Sequence, residues 1–349
     1  MDKKEYEELN KYLNDISVYL DKKYSIILNN ISSICEMNDE YYKHLYDNEF
    51  KKNNTQNNLT YNDVYMLARE IIESINPNYL KEFDKLINSG QLDFSYEQEY
   101  DDCEYVYIER GNKSYNLINI NREFNYNDVV NLIHEFIHYT NGDKKVTRNR
   151  YYLTEFLSIY FETYAIDYLI NKGINKDEID YEIRLESTFD RASSFYYVES
   201  PLICFMDFGS INDDNYEMFK FKYYPIDRSA FDKECRILLD YLRKIEKKYR
   251  ENHFKDDYDY DEVIKDCANL LITNFKYLFG TILSMYAFKH CKKENILYLN
   301  EHINDDDSTD MVELLQSIGI DINDDNFLKE ALLSIEEYLN KYVSVKGDL

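Results

Sequence analysis

The sequence predicts a mainly helical chain with one small antiparallel β-sheet or hairpin. Three observations predict it. Only 8 Gly and 3 Pro occur in 349 residues, so turns are few and elements long. Apolar residues recur at intervals of three and four through most of the chain, the spacing of a helix face. Between residues 103 and 121 the period falls to two, the spacing of a strand. Hydrophobic residues make up 44% of the chain, enough to bury a sizeable core in one large domain or two ordinary ones.

Residues 4 to 47 carry helical periodicity, first in Tyr12, Ile16, Tyr19 and Leu20, then in Ile26, Ile27, Ile31 and Ile34. The polar run Lys51 to Asn58 reads as a linker. Residues 1–59 are therefore expected to form an N-terminal helical segment and residues 60–349 the main domain. Thr60 opens the next helix, with Val64, Leu67, Ala68 and Ile71 on one face, and residues 78 to 88 continue in helical pattern. Cys103 to Glu109 and Tyr115 to Asn121 are short β-rich runs with a turn signal, Arg110-Gly111-Asn112-Lys113, between them. Asn127-Asp128 can cap the helix that follows. That helix is apolar nearly all round (Val129, Val130, Leu132, Ile133, Phe136, Ile137), which predicts a buried central element, and Gly142 can end it. From 150 onward the pattern is almost wholly helical, with loops near 171–175, 207–215, 252–261 and 302–309. No internal repeat is present.

Charge excludes some partners. Basic residues number 41 and acidic residues 67, a net charge of −26. Such a surface repels phosphate backbones and anionic lipid, so no nucleic acid and no membrane is expected as a partner. The runs Asp256-Asp257 and Asp305-Asp306-Asp307 read as solvated loops, not calcium loops. The abundance of Tyr, at 37, and the absence of Trp read as coding bias. Cys35, Cys103, Cys204, Cys235, Cys267 and Cys291 include no C-x-x-C pair and read as free thiols in a reducing compartment. The N-terminus has no signal-peptide core, and no stretch of 18 apolar residues appears, so a cytoplasmic location is expected.

The central helix carries His134-Glu135-Phe136-Ile137-His138, an H-E-x-x-H. Histidines four apart project from one helix face, one turn apart, and can grip one Zn²⁺. The intervening glutamate can then act as a base toward water. With six histidines in the chain, about 0.01 chance occurrences of this pattern are expected. Two histidines leave zinc short of ligands, since a catalytic site takes three protein groups. Downstream, Glu155, Ser158 and Glu162 share a helix face inside an apolar run. Glu155 as third ligand, with Glu162 and Ser158 behind the ligands, explains that polar face. Glu162 and Asp167 are alternative ligands that lie further from His138 in the chain.

Together these residues resemble the oligoendopeptidase F and thimet oligopeptidase family of zinc metallopeptidases. That family's D-V-x-T-L-x-H-E-x-G-H is matched by Asp128 to His138, and its A-E-V-A-S-T-F-N-E by Thr154 to Glu162. Weaker collinear matches extend from about residue 60 to 345. They include Asn76-Pro77-Asn78-Tyr79-Leu80, Phe275 to Thr281 against Y-K-Y-A-T-G, and Leu314 to Ile322 against L-L-K-x-A-G-V-D. The resemblance implies a zincin-like metallopeptidase with a deep cleft, 60–349 being the catalytic domain. It implies Zn²⁺ on His134, His138 and Glu155, Glu135 as general base, and short peptides as substrates cleaved internally. It also implies that the 115–121 strand, through Leu117, Ile118 and Asn119, holds the substrate backbone by strand addition.

The sequence departs from the family in three ways. Ile137 stands where the family has glycine. The segment between His138 and Glu155 is shorter. Cys267 stands at a family histidine, and Ile272, Thr273 and Phe275 stand where aromatic hydroxyls would stabilise the tetrahedral intermediate. Tyr277 alone keeps its hydroxyl, unless Tyr258 or Tyr260 substitutes. Each such donor lost typically costs about 10²–10³ in turnover. Two further readings follow: a zinc-binding pseudo-peptidase that holds peptides or a partner without efficient turnover, and a zinc hydrolase acting on a non-peptide amide.

Overall fold

A computed structural model describes residues 1–19, 58–95, 103–110, 113–142, 151–179, 200–222, 227–252, 259–273, 275–304, 311–324 and 326–342. These residues are mainly helical, with one three-stranded sheet. The chain divides into two compact units, one of residues 1–44 and 188–278, the other of residues 45–187 and 279–349.

In the first unit, α1 (residues 3–19) lies with α6 (residues 200–208), α7 (Asp213–Lys222), α8 (Arg228–Asn252), α9 (Tyr260–Thr273) and the first turn of α10 (Phe275–His290). Leu9, Tyr12, Leu13 and Ile16 of α1 recur at helical spacing and are all buried. Polar ties flank that apolar seam. Arg243 of α8 grips both carboxylate oxygens of Glu8, at 2.8 and 2.7 Å, and Tyr260 donates to Asp15 at 3.0 Å. The rest of the helical pattern read over residues 4–47 and nearly all of the polar run 51–58 lie outside the described residues.

The second unit begins with α2 (Tyr61–Ile75), α3 (Tyr79–Asn88), β1 (Leu92–Ser95), β2 (Glu104–Arg110) and β3 (Lys113–Asn121). It continues with α4 (Tyr126–Asn141) and α5 (Tyr151–Asn171), and then, after the first unit, with α10 from Phe279, α11 (Lys293–His302), α12 (Met311–Ser317) and α13 (Phe327–Tyr342). Thr60 caps α2 in a reciprocal box: its Oγ1 accepts from Asp63 N, and Asp63 accepts from Thr60 N. α4 is the hub, packed against α2, α5, α11 and the sheet. Its buried residues run from Asn127 through Asn141 on most sides, as its all-round apolar composition requires. Gly142 ends it at φ 63° and ψ 42°, a left-handed conformation that glycine adopts without a Cβ penalty. The N-cap is Asn125, whose Oδ1 accepts from Asn127 N, and not the expected Asn127-Asp128.

The expected hairpin is present as β2 and β3, paired antiparallel from Glu104–Asn119 to Arg110–Lys113. A strand not anticipated joins it. β1 pairs parallel with β3, Leu92 opposite Ile118, so the order is β1-β3-β2 and the sheet is mixed. β3 is therefore the middle strand. Ile118 N donates to Gln91 O at 2.9 Å, and Asn116 N to the Gln91 side chain at 3.0 Å. The expected free edge at Leu117, Ile118 and Asn119 is thus not there, because the ladder of β3 is taken on both sides.

Candidate metal centre

α4 and α5 lie side by side, and their polar residues meet inside an apolar contact. Every residue of α5 from Leu153 to Phe161 is buried, Glu155 at 2% exposure and Ser158 at 0%. A carboxylate in such a place costs free energy unless cations or donors face it. Two imidazoles do. His134 Nε2 and His138 Nε2 stand 3.1 Å apart, and Glu155 Oε2 is 3.6 Å from each. A tetrahedral zinc with ligand bonds near 2.0–2.1 Å separates its ligand atoms by about 3.3 Å. The observed triangle brackets that value, so the donor set fits a zinc ion in size, number and chemistry. Among the described residues, these three form a group able to hold a metal ion.

The other ring nitrogen of His134 is fixed as well. Its Nδ1 is 2.9 Å from Glu162 Oε2, which leaves Nε2 to face the site. Burial opposes a charge on His134, but bonds to Glu155 and Glu162 outweigh it and push its pKa up to about 10. The surroundings therefore favour a cation at this point. Glu162 lies at the back of the ring and Glu155 in front, which separates the two carboxylates that sequence spacing left as rivals. Asp167 is engaged elsewhere, by Lys341 at 3.2 Å and Asn171 at 2.9 Å. The Ser158 hydroxyl has no hydrogen-bond partner among the described residues.

Glu135 is buried beside the histidines, and burial pushes its pKa up while both imidazoles and the Tyr105 N–H pull it down. Tyr105 pairs with Ile118 across the β2–β3 ladder, and its N–H turns outward onto Glu135. This contact had no sequence signal, because a backbone donor carries no residue identity.

Ile137 and Cys267 are fully buried, and Cys204, Cys235, Cys267 and Cys291 are free thiols. Tyr277 is half-buried on α10 within the first unit, and Tyr260 donates to Asp15. Tyr258 and residues 143–150, and the side chains of Ile272, Thr273 and Phe275, lie outside what is described.

No protein-family model and no curated protein matches this sequence. Two solved structures are similar to it: a candidate peptidase from Chlamydophila abortus, with TM-score 0.44, and Pz peptidase A solved with an inhibitor, with TM-score 0.46. Each is 13% identical over 95% of this chain. The chain spans a little over half of each, 55% and 58%. No helix among the described residues is long and apolar enough to cross a membrane.

Proposed function

We propose that the chain is a zinc metallopeptidase that cleaves short peptides internally, with residues 60–349 as its catalytic region. One observation carries this reading: two Nε2 atoms and one carboxylate oxygen converge at zinc-ligand spacing, with Glu135 beside them and Glu162 behind. A Zn²⁺ bound there would acidify a water molecule and polarise a scissile carbonyl. His134 and His138 would hold it from one helix and Glu155 from the next. Glu162 keeps the His134 ring in one orientation by taking its Nδ1 proton in a hydrogen bond. Glu135 is the proton carrier. Burial raises its pKa, and the Tyr105 N–H steadies its carboxylate. It would take a proton from water and pass it to the leaving amine.

With β3 enclosed, a substrate backbone would lie along the outer edge of β2, whose Tyr105 N–H already reaches Glu135. Strand addition requires an extended peptide, which favours short unstructured substrates over folded proteins. The net charge of −26 favours neutral or basic ones.

Metal analysis paired with turnover of a fluorogenic peptide library tests the reading. Wild type should carry one zinc per chain and lose turnover to a chelator. Glu135→Gln should keep its zinc and lose nearly all turnover, because an amide cannot shuttle protons. Full turnover by Glu135→Gln would remove Glu135 from this role. One observation favours the pseudo-peptidase instead: Tyr260, a candidate substitute for the missing hydroxyl donors, already donates its hydroxyl to Asp15. A zinc-loaded wild type with no turnover would favour that reading.

A further inference from the structure

Glu155 differs from the two histidines in how it is held. His134 and His138 are fixed to each other by one helix, whatever surrounds it. Glu155 comes from α5, so its oxygen meets theirs only if α5 stands at the right depth against α4. A third helix touches α5 at this residue. Gly280 of α10 lies so close that a Cβ there would stand 3.0 Å from Phe156 N and 3.2 Å from both the carbonyl carbon and the Cβ of Glu155. One turn on, the Ser284 hydroxyl lies 2.8 Å from Phe156 O and 2.6 Å from Gly280 O, a bond shared between the two helices. Ser284 is fully buried.

Glycine inside a helix costs about 1 kcal/mol relative to alanine. Gly280 sits within α10 without the positive φ that would call for glycine, so backbone conformation does not explain it. The close approach does. Each of the three contacts an added Cβ would make is tighter than ordinary van der Waals packing, and two of them are with α5 backbone, which cannot swing aside as a flexible side chain can.

We infer that Gly280, with Ser284, is the seat for Glu155: these two residues set the depth of α5 and so place the third carboxylate against the histidine pair. They are positioning residues, and the inference rests on the reading of His134, His138 and Glu155 as a metal site. Alanine at 280 would displace α5 by a few tenths of an ångström at Glu155. The ligand triangle would open on one side, while the rest of the core, held by α2, α11 and the sheet around α4, keeps its packing.

The test is zinc affinity by competition with a chromophoric chelator, together with the Co²⁺ visible spectrum and thermal melting. Gly280→Ala should weaken zinc binding about 10–100-fold, the usual effect of losing an outer support of a ligand. Its Co²⁺ spectrum should change in shape, reporting altered coordination. Ser284→Ala should weaken binding in the same direction by a smaller factor. Ile335→Ala, a core truncation in α13, should lower the melting temperature and leave zinc affinity unchanged. In a Glu155→Ala background, Gly280→Ala and Ser284→Ala should cause no further loss, because the ligand they place is gone. Should Gly280→Ala not fold, the Ser284→Ala cycle with Glu155→Ala decides alone. Wild-type affinity in both variants, or an equal loss with and without Glu155, overturns the inference. A wild type that binds no zinc overturns the metal site and this inference with it, whereas a zinc-binding wild type indifferent to both substitutions overturns this inference only.

Discussion

The entry into α4 gives the most exposed prediction. The chain turns from β3 into α4 through residues 122–125, and Asp128 in the first turn of the helix ties that corner. Its two carboxylate oxygens accept from Glu123 N at 2.8 Å and Phe124 N at 3.1 Å, and Arg122 Nε lies 4.0 Å away. Phe124 has φ 61°, a left-handed conformation that costs a bulky L-residue about 1–2 kcal/mol. Asp128→Ala would leave two part-buried N–H groups without acceptors, at about 1–3 kcal/mol each. Some of this is returned. Burial pushes the Asp128 carboxyl up to about 6 in spite of those two bonds, so its ionised form carries a net cost of about 3 kcal/mol at 1.36 kcal/mol per pH unit, and alanine removes that cost. Two lost bonds cost about 2–6 kcal/mol together, so the balance is a loss of about 1 kcal/mol and at most about 3 kcal/mol. Urea unfolding at pH 8, where the carboxyl is ionised, measures it. Zinc affinity should fall as well, because His134 lies less than two turns along the same helix. No loss, or a gain in stability, would show that the corner holds without Asp128 and refute the argument.

Two further predictions follow from single contacts and a third from the family resemblance. Glu162→Gln keeps shape but not charge, and zinc affinity should fall about 10–100-fold; unchanged affinity would mean the contact with His134 does not tune the ring. Among the described residues the Ser200 hydroxyl alone offsets the burial of Glu234, which pushes its carboxyl up from 4.5 to about 7. The folded state therefore prefers the acid form, and this contribution is fully present below pH 4.5 and lost as pH rises through 7. The stability of wild type relative to Glu234→Gln should fall by up to about 3 kcal/mol across that window, and a flat difference would rule the shift out. On the expectation that Tyr277 keeps the family's hydroxyl donor, Tyr277→Phe should lower kcat with little change in KM or zinc content, since such a donor acts in the transition state; a less stable variant of normal specific activity would make Tyr277 a packing residue.

What was legible in the sequence, and what was not, follows from where the information sits. Side-chain chemistry at helical spacing is local. His134, Glu135 and His138 therefore announced a site, and Glu155, Ser158 and Glu162 stood out as a polar face in an otherwise buried helix. Gly142 was legible for the same reason, since a left-handed helix end selects for one residue type. The N-cap was misplaced by two residues because Asn125, Asn127 and Asp128 can all accept from a helix N-terminus, and only the geometry of the incoming strand decides among them. β1 was missed although Leu92-Asp93-Phe94-Ser95 alternates in polarity. Four residues are too short for periodicity to speak, and their partner, β3, lies more than twenty residues on. That omission changes the chemistry that can be argued. With β1 in place β3 has no free edge, and the strand next to Glu135 is β2, met through the Tyr105 backbone. Backbone donors have no letter in the sequence, and neither has the closeness of Gly280 to Glu155. The reactive groups of this site could be read from residue identities, whereas the surfaces that would align a substrate and seat the third ligand required the fold.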